Sequence, residues 1–230
     1  MSAGNISTSQ AQTGSRPKPR IESLSDLIFG LALSVGAITL VGNINNIKTS
    51  GDLLNDIIVF GYSFLILIVV WIRYTKIMSV LPFERQWTIS LSVALLFTVS
   101  LEPFLFNVLQ LGSSDIRDIA SQFYAVDLGV MLAILASFTF VLADEDRKLV
   151  PRESKTEFRI EGVTLALAAL VFFISTLGIF WTSRAPNGEP WRFYIWIIPF
   201  TLSAIRRRGK SMIERLRKAR GADKTTSDQE

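Results

Sequence analysis

The run Arg20 to Val41, RIESLSDLIFGLALSVGAITLV, constrains this chain more than any other stretch. It is apolar enough to enter a bilayer, yet it opens on Arg20, Glu22, Ser25 and Asp26. A carboxylate at the head of a membrane span is costly unless it is paired or reaches the interface. On a helix, Leu31, Val35 and Ile38 stand at i, i+4 and i+7 and form one aliphatic stripe. Gly30 and Ser34 lie beside that stripe and let a second helix come close. The expectation is a span that lines something, with the polar cluster at its head setting its pose.

Apolar runs recur along the chain at roughly the 18–24 residues that a bilayer core of about 30 Å requires. After the first span, from about Leu24 to Gly42, they cover Leu53 to Tyr74, Trp87 to Leu109, Phe123 to Ala143, Gly162 to Trp181, and Trp191 to about Ile205. Pro103 lies near the far end of the third run, where a kink is expected. Trp191, Tyr194 and Trp196 in the short sixth run suit a membrane interface. With 49% hydrophobic residues segregated in this way, the reading is an all-α integral membrane protein with six transmembrane helices. Met1 to Pro19 is polar and no small-residue cleavage site follows the first run, so that span is expected to be retained.

The basic residues set the topology. With the amino terminus inside, twenty of the 24 Lys and Arg fall in inner segments and four in outer loops, so both termini are expected to be cytoplasmic. The organisation is then a disordered cytoplasmic tail over 1–19, a six-helix transmembrane domain over 20–205, and a basic cytoplasmic tail over 206–230. The basic tail reads either as a stop-transfer block continuing as a solvated helix or as a contact for anionic lipid headgroups. The net charge of +4 is no nucleic-acid signal, since the basic residues sit where topology puts them.

Several chemistries are excluded. The chain has no Cys and no His, which removes disulfides, thiolate metal sites and the usual proton relay. It has no phosphate-cradling Gly loop and no nucleophile–base pair, so neither an enzyme, a metal site nor a resident cofactor is expected. The membrane-embedded acids are Asp26, Glu102 and Asp127, one per span, each read as a helix-end acid. Ser25 and Asp26 would also suit a helix cap. Asp26-Leu-x-x-x-Leu-Ala32 recurs as Asp127-Leu-x-x-x-Leu-Ala133, a match short enough to arise by chance in Leu- and Ala-rich helices.

Arg20-Ile-Glu-Ser-Leu24-Ser25-Asp26 resembles the R-x-x-x-F-S-D signature that opens the first span of the transmembrane-protein-175 family, with Leu24 in place of Phe. These are potassium-permeable channels of endolysosomal membranes with prokaryotic relatives, and they lack the TVGYG filter, which is absent here too. The resemblance covers about residues 20–110. It implies a hydrogen-bonded network of Arg20, Ser25 and Asp26 near the inner end of the first helix. Trp71 matches the Trp that ends the family's second span, while Tyr74 and Thr75 stand in place of the family's His pair. Leu101-Glu102-Pro103-Phe104 resembles the family's Leu-Pro-Phe with one residue inserted. The resemblance further implies a pore lined by the first helix, at Leu31, Ser34, Val35 and Ile38, with an aliphatic constriction. It implies passive conduction of potassium as the permeant ion, and a cyclic homotetramer that brings four first helices round one axis.

The setting expected for such a chain is a cell membrane, with the bilayer and its own copies as partners. A rival reading stays open at this point: a non-conducting scaffold or accessory homologue. The smaller Val35, the lost motif Phe and the missing His pair are its support. A secondary transporter would call for an inverted repeat or matching broken helices, and neither is visible.

Overall fold

A computed structural model describes residues 20–42, 48–81, 86–111, 113–144, 149–186, 188–199 and 201, with the side chains of 20, 40–42, 111, 114, 152 and 153 outside that description. Among the described residues seven helices follow in order: α1 (Arg20–Gly42), α2 (Ser50–Met78), α3 (Gln86–Leu111), α4 (Ser114–Ala143), α5 (Arg152–Ser175), α6 (Ile179–Thr182) and α7 (Trp191–Ile195). Among the described residues, five helices are long and apolar enough to cross a membrane, α1 to α5. Helices are the expected solution, because hydrocarbon offers no partner for a backbone N–H or C=O and a helix satisfies both within its own segment. The sixth expected span opens as α7; residues 200 and 202–230, including the basic tail, lie outside the described residues, as do the tail 1–19 and loop residues 43–47.

The helices run past their apolar cores. Residue Thr49 caps α2: its Oγ1 accepts from the Asp52 N–H at 3.1 Å, and Asp52 Oδ2 accepts from the Thr49 N–H at 2.9 Å. This reciprocal capping box starts α2 at Ser50 and draws Gly51 and Asp52, which precede the apolar run from Leu53, into its first turn. Helix α3 continues through Pro103 as one element rather than ending there. In a bundle, neighbouring helices tolerate the lost ladder bond.

Helix α4 is the centre of the molecule. It packs along α5 and α3, and touches α2, while α1 lies against α3 and α2. The apolar window of α4 is 61% buried and that of α1 only 17%, so α1 is the span with most surface left over. The core joins Leu67 of α2, Leu95 and Val99 of α3, Tyr124, Met131, Leu135 and Phe138 of α4, and Leu165 and Phe172 of α5. Helices α4 and α5 approach closely because each offers a glycine to the other's aromatic. A Cβ on Gly129 would stand 2.8 Å from the Phe173 ring, and one on Gly162 would stand 3.0 Å from Phe140.

A fully buried arginine ties the last helix to this centre. Arg192 donates from Nε to the Ser175 carbonyl at 2.8 Å and from Nη1 to Asp118 Oδ1 at 2.8 Å. It also reaches the Ser121 hydroxyl and the Thr176 carbonyl. Trp196 joins it by donating to Ser175 Oγ at 2.9 Å, with its ring packed on Tyr124 and Phe172. Trp196 is therefore a core residue, not the interfacial one that the sequence implied, because α7 folds back onto α4 and α5. Trp191 is exposed, with its ring 5.5 Å from that of Tyr194.

Candidate functional site

Helix α1 divides into two faces. Phe29 and Ala32 are buried, with Phe29 packed on the Tyr74 ring of α2 at 6.2 Å between centroids. Leu31, Val35 and Ile38 point away from the rest of the chain and are 56%, 48% and 66% exposed. Leu24 and Leu27 are exposed too, so the aliphatic stripe runs back to the signature. Their spacing from Leu31, at i−7 and i−4, was the signal that could have added them. Ser34 is exposed on the same side and donates to the Gly30 carbonyl at 2.7 Å, which leaves its lone pairs facing outward. Gly30 itself has open space about it within this chain.

The Asp26 end of the stripe is anchored by side chains from two helices. Trp71 Nε1 on α2 donates to Asp26 Oδ1 on α1 at 3.0 Å. Ser25 is buried one residue before and donates to the Glu22 carbonyl at 2.8 Å. Because α1 is already helical from Arg20, Ser25 and Asp26 lie inside its second turn and do not cap it, which corrects the capping alternative. Of the four residues singled out for this network, the structure joins Asp26 and Trp71 directly and buries Ser25 beside them; the side chain of Arg20 lies outside the described residues. Tyr74, one turn on from Trp71, is buried under Phe29, and Thr75 is exposed. Further along, Arg73 and Lys76 both stand 3.9 Å from Glu161, linking α2 to α5.

The other two membrane acids are not helix-end acids. Glu102 is completely buried mid-α3, where Ser63 of α2 and Tyr124 of α4 donate to its carboxyl at 2.9 and 3.1 Å. Asp127 is buried in α4, one turn from Tyr124, and its Oδ2 has no hydrogen-bond partner. Position near the end of an apolar run misled here in two ways: α4 begins at Ser114, well before its run, which carries Asp127 inward, while α3 spans nearly the same residues as its run and Glu102 is enclosed by α2 and α4 packed against it. The short Asp-Leu repeat therefore has two different environments: Asp26 at an exposed helix junction and Asp127 in the core. Among the described residues no group of three or more His, Cys, Asp or Glu is arranged to hold a metal ion.

Five apolar spans, no strand among the described residues, and an anchored helix with one outward aliphatic face define a multi-pass integral membrane protein of the helical kind. Residues 20–103 match the family model described as the endosomal/lysosomal potassium channel TMEM175. That match spans α1, α2 and α3 as far as Pro103, and it supports membership of the chain in the TMEM175 potassium channel family. It covers much the same stretch as the resemblance carried by Arg20–Asp26 and Trp71. No curated protein and no solved structure matches the chain.

Proposed function

We propose that this chain is a potassium-permeable cation channel whose pore is lined by α1. The observation that carries this reading is the outward stripe Leu31, Val35 and Ile38 on the least buried span, within the segment that matches the channel family. One α1 cannot enclose an axis, so copies of the chain complete the pore, and a cyclic homotetramer is the assembly we favour. Facing aliphatic rings gate by dewetting, with Leu31 as the narrowest point. Ser34 supplies a hydroxyl within the same face that can meet a partly dehydrated cation. The Asp26–Trp71 bond, with Ser25 and Arg20, holds the inner end of α1 so that the stripe keeps its direction.

Conduction in this scheme is passive: potassium is the permeant ion, and no resident cofactor and no catalytic step are involved. Both termini lie in the cytoplasm, the protein sits in the cell membrane, and the basic tail from Arg206 rests against anionic headgroups.

The test is flux through the purified full chain in liposomes, with a potassium gradient, sodium as the comparison, and Leu31→Asn alongside. The expected result is potassium-favouring uptake in the wild type, with higher flux and weaker selectivity in Leu31→Asn. Absence of flux from both proteins, each assembled to the same oligomer, would refute the channel and leave the non-conducting homologue.

A further inference from the structure

A second polar feature lies at the end of the bundle away from Asp26 and Trp71. There α1, α2 and α3 line a half-open cavity of ≈ 40 Å³ whose wall includes Thr39, Asp56, Asn107 and Gln110. Thr39 follows Ile38 directly, so on the helix it is turned about 100° from the aliphatic stripe. Its Oγ1 donates to the Gly36 carbonyl at 2.7 Å, which leaves oxygen lone pairs for another partner. Asp56 is half-buried, and among the described residues no basic side chain pairs with it. Asn107 and Gln110 add two amide oxygens from the last turns of α3. Val59 and Phe106 close the inner side, and the Phe106 ring stacks on Tyr62 at 6.4 Å, just before the Ser63–Glu102 hydrogen bond.

Three helices thus converge one carboxylate, one hydroxyl and two amides on a single small space. A half-buried carboxylate with no basic partner among the described residues attracts a cation that balances its charge. The donors are all hard oxygens, which suit an alkali or alkaline-earth ion rather than a transition metal. A lone carboxylate balances a single positive charge, whereas calcium sites gather several. A water needs about 10–15 Å³ of such space, so the cavity has room for roughly three water-sized particles, enough for a cation that keeps part of its hydration.

We infer that Thr39, Asp56, Asn107 and Gln110 form a site for one partly hydrated alkali metal cation, potassium or sodium, set behind α1 and separate from the stripe of Leu31, Val35 and Ile38. It does not depend on conduction, since the donors sit within one subunit. An ion held there joins α1 to α2 and α3 at the end where no Trp71-type bond is present among the described residues.

The experiment measures the thermal unfolding midpoint of the full chain in detergent, in potassium, sodium or choline chloride at equal ionic strength. Binding to the folded state raises the midpoint with the logarithm of the free ion concentration once the site saturates. The expected result is a rise in potassium or sodium over choline in the wild type. Asp56→Asn should abolish it, and Leu31→Asn should keep it. Gln110→Met is the second pocket variant, at an exposed position that folding tolerates, and it should reduce the shift if Asp56→Asn does not yield folded protein. Equal midpoints in all three salts would overturn the site. So would a shift that survives both pocket variants, or one lost in Leu31→Asn, which would put the ion on the stripe. A larger rise in calcium than in potassium would overturn the monovalent assignment. Flux through the wild type without any salt-specific shift would sink this site and leave the channel standing; a shift without flux would do the reverse.

Discussion

Replacing Arg192 with methionine removes a buried cation that fastens α7 to α4 and α5. The guanidinium is 0% exposed and donates to the Ser175, Thr176 and Asp118 carbonyls, the Ser121 hydroxyl and the Asp118 carboxylate. Removing one member of a buried ion pair costs about 3–5 kcal/mol, mostly through the partner left unpaired. Here the Asp118 side chain keeps 30% exposure and can regain water, so the loss belongs at the lower end, about 3 kcal/mol. Arg117 is the internal control. It stands 3.8 Å from Glu189 with the two side chains 37% and 49% exposed, a pair worth about 0–1 kcal/mol, and its guanidinium lies 6.0 Å from the Phe193 ring centroid. The assay is reversible unfolding of Arg192→Met and Arg117→Met in detergent, followed by Trp fluorescence. Arg192→Lys should lose most of the same stability, because one ammonium cannot span the carbonyls of α5 and the carboxylate of α4 together. A loss for Arg192→Met no larger than that for Arg117→Met would refute the reasoning.

Three further outcomes follow from the packing. Trp71→Phe removes the donor to Asp26 and should cost about 1 kcal/mol, reduced below the usual charged-bond value by the exposure of Asp26; a double-mutant cycle with Asp26→Asn should return a coupling of that sign, and additive losses would count against the bond. Gly129→Ala should destabilise by about 1–3 kcal/mol, since its Cβ would stand 2.8 Å from the Phe173 ring, whereas Gly30→Ala has open space and should leave the subunit's stability unchanged or raised, both read by the same unfolding assay. Thr49→Ala should cost about 1 kcal/mol by opening the capping box of α2, with the earliest sign in faster amide exchange at Ser50–Asp52.

Much of the architecture was legible because membrane spans are local. Each run must satisfy its own backbone and present an apolar surface of bilayer length, so α1 to α5 could be placed from hydropathy alone. Their ends were less so. Thr49-Ser-Gly-Asp52 carries a capping box that marks the start of α2, but beside Asn-rich sequence it reads as loop. In α4 and α5 the helix begins in polar sequence well before the apolar run, since water at the membrane edge accepts a polar helix readily.

For the candidate site, the 3.6-residue period placed Leu31, Val35 and Ile38 on one face, and the structure leaves that face outside the subunit. The signature residues could be grouped only by resemblance. That Asp26 meets Trp71, 45 positions away, depends on how α1 and α2 cross. The same limit explains the misread acids. A carboxylate near the end of an apolar run is indistinguishable in sequence from one that will be enclosed. The two differ only once α2 and α4 bring Ser63 and Tyr124 to Glu102.

What the sequence by itself determined was the material of the spans, their order, and which face of α1 is aliphatic, because bilayer length and helical period act within one segment. Tertiary structure alone decided which polar groups are enclosed, making Glu102, Asp127 and Arg192 interior residues, tying Asp26 to Trp71 and drawing Trp196 into the core. The physical reason is that burial and pairing belong to the contact between helices, and a contact has no position in any one of them.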